Sequence, residues 1–188
     1  MTTRVSYTDV MIEKPLDGRV AVVAGGARGA GRGISIALGE LGCTVYVTGR
    51  TSRDFTSELG RKETIEETAE KVSQVGGKGV PIRADHADPE QVKSLFAQVK
   101  KESNGGLDIL VNDIWGGDHL AEWGKKFWEQ DISKALKIFG NCLNSHIITS
   151  FYGAPLLIEK GSGLLVEVTA RIIDTGEIYR TVLQSLPS

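Results

Sequence analysis

The chain has 188 residues, 40% of them hydrophobic, with 22 basic and 24 acidic side chains and a net charge of −2. That length suits one domain with a substantial core, and the hydrophobic content is too high for disorder. The balanced charge points to no nucleic-acid or anionic-membrane surface, and no apolar run approaches the roughly 20 residues that span a bilayer.

Residues 1–17 lack periodicity and read as an arm closed by the turn signal Pro15-Leu16-Asp17-Gly18. From residue 18 to 188 the chain reads as one domain. Arg19 to Ala24 is a short apolar run of strand length, followed by glycines at 25, 26, 29, 31 and 33. Ile34, Ala37, Leu38 and Leu41 then repeat at helical spacing until Gly42 stops the helix. Cys43 to Thr48 is a β-branched second strand, and Arg50 to Arg61 is polar and loop-like. Thr64 to Val75 predicts an amphipathic helix ended by Gly76-Gly77, and Gly79 to Ala84 a third strand. Asp88-Pro89 opens another helix, with Asp as N-cap and Pro at the first helical position. Leu107 to Val111 is a fourth strand. A loop to about Trp123, helical material through Leu157 and a fifth strand, Leu164 to Thr169, complete the pattern. Strand and helix alternate four times before that last strand, which predicts a parallel sheet covered on both faces.

Cys43 and Cys142 form no CxxC pair and read as reduced thiols. The first nine residues carry acid and hydroxyl groups where an export signal needs an apolar core, so a cytoplasmic location is expected. His86, His119 and His146 have no metal-ligand spacing, and no metal site is expected. Trp115, Trp123, Phe127 and Trp128 either line a substrate mouth or pack in a core or interface.

The spacing Gly25-x-x-x-Gly29-x-Gly31 falls between a strand and a helix. A tight turn there needs positive φ, a pyrophosphate needs close backbone approach, and a helix N-terminus offers free N–H groups. The strict G-x-G-x-x-G fingerprint is not met, since Ile34 stands at its third glycine. A glycine-rich turn with no ligand is the alternative. The segment Ala24-Gly25-Gly26-Ala27-Arg28-Gly29-Ala30-Gly31 resembles the TGxxxGxG cofactor loop of the short-chain dehydrogenase/reductase family, with alanine for the first threonine. Asp85 resembles that family's adenine-contacting acid, and His86 beside it would border the adenine pocket. Val111-Asn112-Asp113-Ile114 stands where the family has Asn-Asn-Ala-Gly; Asn112 matches. The resemblance covers roughly residues 16 to 169. It implies a doubly wound Rossmann fold, α/β/α, with strand order 3-2-1-4-5-6-7, and a homo-oligomer. It also implies hydride transfer between a nicotinamide cofactor and a small carbonyl or alcohol, with Gly25, Arg28, Gly29, Ala30, Gly31, Asp85 and Asn112 among the cofactor contacts.

An acid at the end of strand two would hydrogen-bond ribose hydroxyls and repel a 2′-phosphate. Here the sequence reads Thr48-Gly49-Arg50-Thr51-Ser52. Guanidinium groups of Arg50 and Arg28, with hydroxyls of Thr51 and Ser52, suit phosphate oxygens, which points to NADP(H) rather than NAD(H). Two solvated surface arginines are the alternative.

The family's proton donor is a tyrosine with a lysine four positions on. Tyr7, Tyr46, Tyr152 and Tyr179 are followed at that spacing by Met11, Arg50, Leu156 and Leu183. Tyr179 remains only as a substitute, without the lysine that would lower its pKa. The family's serine falls at Thr169 or Ala170, of which Thr169 alone carries a hydroxyl. Its helix asparagine falls near Asn141 and Asn144, which flank Cys142. Nineteen residues follow Thr169, so a chain lacking the last two strands and catalytically incomplete is expected, with Leu164 to Thr169 as a sticky apolar edge. A non-catalytic NADP(H)-binding or partner-binding protein, or a gene fragment without function, are the rival readings.

Overall fold

The computed structural model describes residues 14–58 and 60–169. Five parallel strands form one sheet: β1 (Val20–Ala24), β2 (Thr44–Gly49), β3 (Lys78–Arg83), β4 (Ile109–Asn112) and β5 (Leu164–Glu167). Their order is β3-β2-β1-β4-β5. Val22 lies in register with Tyr46 on one side and Leu110 on the other. Side chains alternate across a strand, so Val22, Tyr46 and Leu110 enter one core cluster while Val23, Val45, Val47 and Val111 enter the other. Both faces need apolar residues, which is why these strands read as unbroken hydrophobic runs.

Helices α1 (Gly29–Glu40) and α2 (Ile65–Gln74) cover one face, and α3 (Pro89–Glu102) and α5 (Ser145–Glu159) the other. This is the doubly wound α/β arrangement that the sequence predicts. A short helix, α4 (Ile132–Phe139), runs through a π-turn at Gly140–Asn144 directly into α5. Close helix-to-sheet approach depends on missing side chains. A Cβ on Gly79 would lie 2.0 Å from the Ala69 carbonyl oxygen in α2, and one on Gly153 would lie 2.6 Å from Leu110.

Local signals set the helix ends. Thr64 and Glu67 form a reciprocal capping box at α2, and the Asp88 carboxylate accepts the Glu90 and Gln91 N–H groups at α3. Helices α1 and α2 both stop on a left-handed glycine, Gly42 and Gly76. The next residue returns a hydrogen bond to the last turn: Cys43 N to Leu38 O at 3.0 Å, and Gly77 N to Val72 O at 3.1 Å.

Strand four begins two residues later than the sequence suggests, because Leu107 and Asp108 lead into it. Buried Asp108 accepts from Arg19 at 2.7 Å, Lys160 at 2.6 Å and the Val20 N–H at 2.9 Å, tying three elements at the sheet's N-terminal end. Strand five stops at Glu167 rather than Thr169, and among the described residues it pairs with β4 alone. Lys14 to Gly18 already belong to the fold: the Leu16 N–H donates to Leu41 O, and Lys14 Nζ to Gly76 O. No helix among the described residues is long and apolar enough to cross a membrane.

Candidate functional site

The chain moves outward from β1 to β2 and β3, then crosses to the opposite side for β4 and β5. The loops leaving β1 and β4 therefore diverge, and a crevice opens beyond the C-terminal strand ends, the place where such sheets bind ligands. A cleft of about 270 Å³ lies there. Its wall is made by the glycine loop, the Gly49–Thr51 turn, Asp85–Ala87, Asp113–Gly116, and Asn141 and Ser145.

Gly25 holds φ +86, and a Cβ there would lie 2.2 Å from the Asp113 carbonyl oxygen. Only glycine meets both conditions. Arg28 is the extended N-cap of α1, so Gly29, Ala30 and Gly31 form its first turn, whose N–H groups have no partner within the helix. The Gly31 N–H donates to the Asp113 carboxylate instead. Gly25, Arg28, Gly29 and Ala30 line the cleft; Gly31 is buried behind it.

At the β2 end, Arg50 lines the cleft, with Nη1 on Glu58 Oε1 at 2.5 Å. Its backbone carbonyl accepts from Arg83 Nε, and the Arg83 guanidinium stacks 4.0 Å over the Phe55 ring. Arg28 sits 3.8 Å from Asp118, whose other oxygen accepts from the Trp115 indole at 2.5 Å. Both arginines of the sequence reading thus face the cleft, and each has an internal carboxylate beside it. Neither is a free surface side chain. Thr51 lines the cleft, but its hydroxyl meets Ser57 Oγ at 2.9 Å, and Ser52 is buried.

Asp85 lines the cleft and accepts the Ala87 N–H at 3.0 Å. His86 is buried, and both ring nitrogens are taken: Thr48 Oγ1 and Thr149 Oγ1 each lie at 2.8 Å. Both threonine hydroxyls are also held by backbone carbonyls, Thr48 by Val23 O at 3.2 Å and Thr149 by Ser145 O at 2.7 Å. Burial, aided by His146, pushes the His86 pKa down to about 3. The ring is therefore a neutral strut between β2 and α5, with no polar atom left for a nucleotide.

Asn112 is buried under the cleft. Its amide donates to Ser150 at 2.9 Å and Glu167 at 2.7 Å, while Oδ1 has no partner. Asn141 lies in the π-turn, lines the cleft and donates to Gly116 O at 2.8 Å; Asn144 is exposed and does not reach it. Thr169 is exposed beyond β5 and lines no part of the cleft, and Tyr179 lies outside the described residues. Trp115 lines the cleft, whereas Trp123, Phe127 and Trp128 are exposed, so none of these three is core. Glu58, Asp118 and Ser145 are absent from the sequence reading. Glu58 and Asp118 sit in loops, where no periodicity announces which residues meet.

The sequence model of the short chain dehydrogenase family matches residues 19–180. The chain belongs to that family. Among curated proteins it is 39% identical over 158 residues to mouse "Dehydrogenase/reductase SDR family member 1", covering 83% of this chain and 47% of that protein. It is also 39% identical over 100 residues to "NADPH-dependent aldehyde reductase 2, chloroplastic" of Arabidopsis thaliana, covering 52% of this chain and 36% of that one. The chain spans about half the length, or less, of these relatives. Among solved structures, a short chain dehydrogenase from Mycobacterium thermoresistibile superposes with TM-score 0.71 at 20% identity, over 86% of this chain and 54% of the other. That likeness concerns the fold: this short-chain dehydrogenase chain reproduces the family's sheet order through β5.

Proposed function

We propose that these residues form the nucleotide-binding part of an oxidoreductase working between NADP(H) and a small carbonyl or alcohol. One observation carries the reading: the N-terminal turn of α1 and the Arg50 guanidinium open onto the same cleft at the β1/β4 crossover. The first suits a diphosphate and the second a 2′-phosphate some distance along the same molecule. The cradle fits such a ligand, since Gly29 and Ala30 of the first turn line the cleft and no protein atom stands within 4 Å of where a Cβ on Gly29 would lie. When bound, the cofactor supplies hydride exchange at its nicotinamide ring. This chain's residues bind and orient it: Gly29 and Ala30 through backbone N–H groups, Arg28 and Arg50 through charge, and Asp85 at the adenine end.

Proton transfer is a different matter. Tyr46 is buried, and burial with nearby Glu102 pushes its pKa up to about 12; Tyr152 packs against the core. Neither lines the cleft, and no tyrosine of the chain has a lysine four positions on. The 188 residues therefore bind nucleotide with little or no turnover, since acid–base catalysis contributes about 10²–10⁴-fold. Both cysteines are free thiols, which supports a cytoplasmic setting. Two or more copies associate through an apolar helix face that includes Phe139, Ile147 and Phe151.

The test is fluorescence titration with NADPH and NADH. NADPH binds more tightly, and Arg50→Asp removes a preference worth about 1.5–3 kcal/mol, a tenfold to hundredfold change. Equal affinities in the unaltered chain overturn the NADP(H) assignment. Robust carbonyl reduction that disappears in Tyr179→Phe overturns the catalytic part.

A further inference from the structure

Resting on that nucleotide reading, Asp113 presents a difficulty that the cleft must resolve. A dinucleotide brings a diphosphate to the N-terminal turn of α1, where N–H groups and the positive end of the helix dipole receive it. Asp113 lines the same cleft and already holds part of that receptor, because its Oδ2 accepts the Gly31 N–H. The fit is tight. A Cβ on Gly31 would lie 2.8 Å from the same carboxylate oxygen, and one on Gly25 would lie 2.2 Å from the Asp113 carbonyl oxygen. The side chain therefore sits against the glycine loop, on the turn that a second anion would approach.

The charges around it do not neutralise it. From α1, Arg28 is held near Asp118, and Arg32 is held by Glu67 at 3.2 Å. From α5, His146 is engaged by Glu167 of β5 at 2.5 Å through Nδ1 and by the Ile114 carbonyl at 3.0 Å through Nε2. Asp118 of the following loop adds a second negative charge to the cleft. Among the described residues, no cation lies within ion-pair distance of Asp113. Burial raises its carboxyl above the ordinary value, against the pull of the Gly31 N–H and of His146.

We propose that Asp113 is the resident anion of the cleft, and that binding of a dinucleotide draws one proton from solvent onto its carboxyl. Nothing is oxidised or reduced: one O–H bond forms at Oδ1, and Oδ2 keeps the Gly31 N–H. The carboxylate that opposed the diphosphate becomes a carboxylic acid able to donate to it.

Calorimetry with NADP⁺ near pH 6, in two buffers of different ionisation enthalpy, reads this directly. The unaltered chain takes up more protons per bound nucleotide than Asp113→Asn. The variant, which keeps an oxygen for Gly31, binds about tenfold tighter once the opposing charge is gone. Titration of the 2′-phosphate is common to both proteins and cancels in the difference. Equal proton uptake, or unchanged or weaker affinity in the variant, overturns the proposal while leaving the nucleotide reading intact. Absence of NADP⁺ binding by the unaltered chain overturns both. Should the variant not fold, NAD⁺ affinity of the unaltered chain decides: it strengthens as pH falls from about 7 to 5, and a flat or opposite trend overturns the proposal.

Discussion

His86 shows how a single ring can serve the fold while standing beside a ligand cleft. Its neighbour Asp85 ends the β3 turn, so proximity in sequence suggests a shared role at the adenine. The ring instead bridges Thr48 and Thr149, 63 positions away along the chain in the second case. Burial holds its pKa near 3, against an ordinary value of 6.5. Below that ordinary value the unfolded chain takes up a proton that the folded chain refuses. The folded state's advantage is therefore complete above about pH 6.5 and is lost as pH falls toward 3, by about 1.4 kcal/mol per pH unit. Urea unfolding followed across that window should show this slope, and His86→Gln should flatten it while lowering stability near neutrality. An unchanged slope in the variant would place the acid sensitivity elsewhere.

Among the elements, α2 carries the clearest local code. Thr64 and Glu67 close its first turn, and Gly76 with Gly77 closes its last. Thr64→Ala should cost about 1 kcal/mol in thermal unfolding. Gly79→Ala should cost more, about 1–3 kcal/mol or above, since its new methyl would meet the Ala69 carbonyl. A melting temperature equal to that of the unaltered protein would show that α2 can lift from β3 at no cost. The Asp88 cap, the glycine stops and the strands apolar on both faces were legible in the sequence, each following from chemistry within a few residues, whereas the Thr64–Glu67 box and the Gly79 contact with Ala69 were not read from it. The glycine loop and Arg50 were legible for the same reason, being set by the turns they sit in. Glu58, Asp118 and the burial of Asn112 were not. Each depends on loops or helices brought together from 8 to 90 positions apart (Arg50 with Glu58, Arg28 with Asp118), and loop residues have no period to reveal their partners.

At the scale of the molecule, the distribution of apolar surface is uneven. Strands β1, β2 and β4 are largely buried, while Leu164 and Leu165 of the edge strand β5 are exposed, and Ile132, Leu136, Phe139, Ile147, Phe151 and Ile158 are each 59% or more exposed along α4 and α5. Exposed apolar area on this scale marks a contact surface. A face built from one continuous helix can meet a copy of itself about a twofold axis. Sedimentation equilibrium should therefore show reversible association that weakens in Ile147→Asp/Phe151→Asp, with thermal stability of the monomer retained. A monomer at all concentrations, or unaltered association in the double variant, would move the contact elsewhere.

The π-turn between α4 and α5 has an angular consequence for that face. A regular helix turns about 100° per residue, so Phe151, nineteen positions after Ile132, would point about 100° away from it. A π-turn acts as a single inserted residue that leaves the overall rotation nearly unchanged. Discounting one position leaves eighteen, which is about five whole turns, and the two side chains return to the same line. Ile147 and Ile158 fall within about 40° of it by the same count. The extra residue therefore brings the two halves of the rod into phase, and in the same turn it carries Asn141 to the cleft wall. Removing one residue between 140 and 144 would keep the stripe aligned and forfeit the asparagine. Removing one anywhere else between 132 and 151 would split the stripe in two.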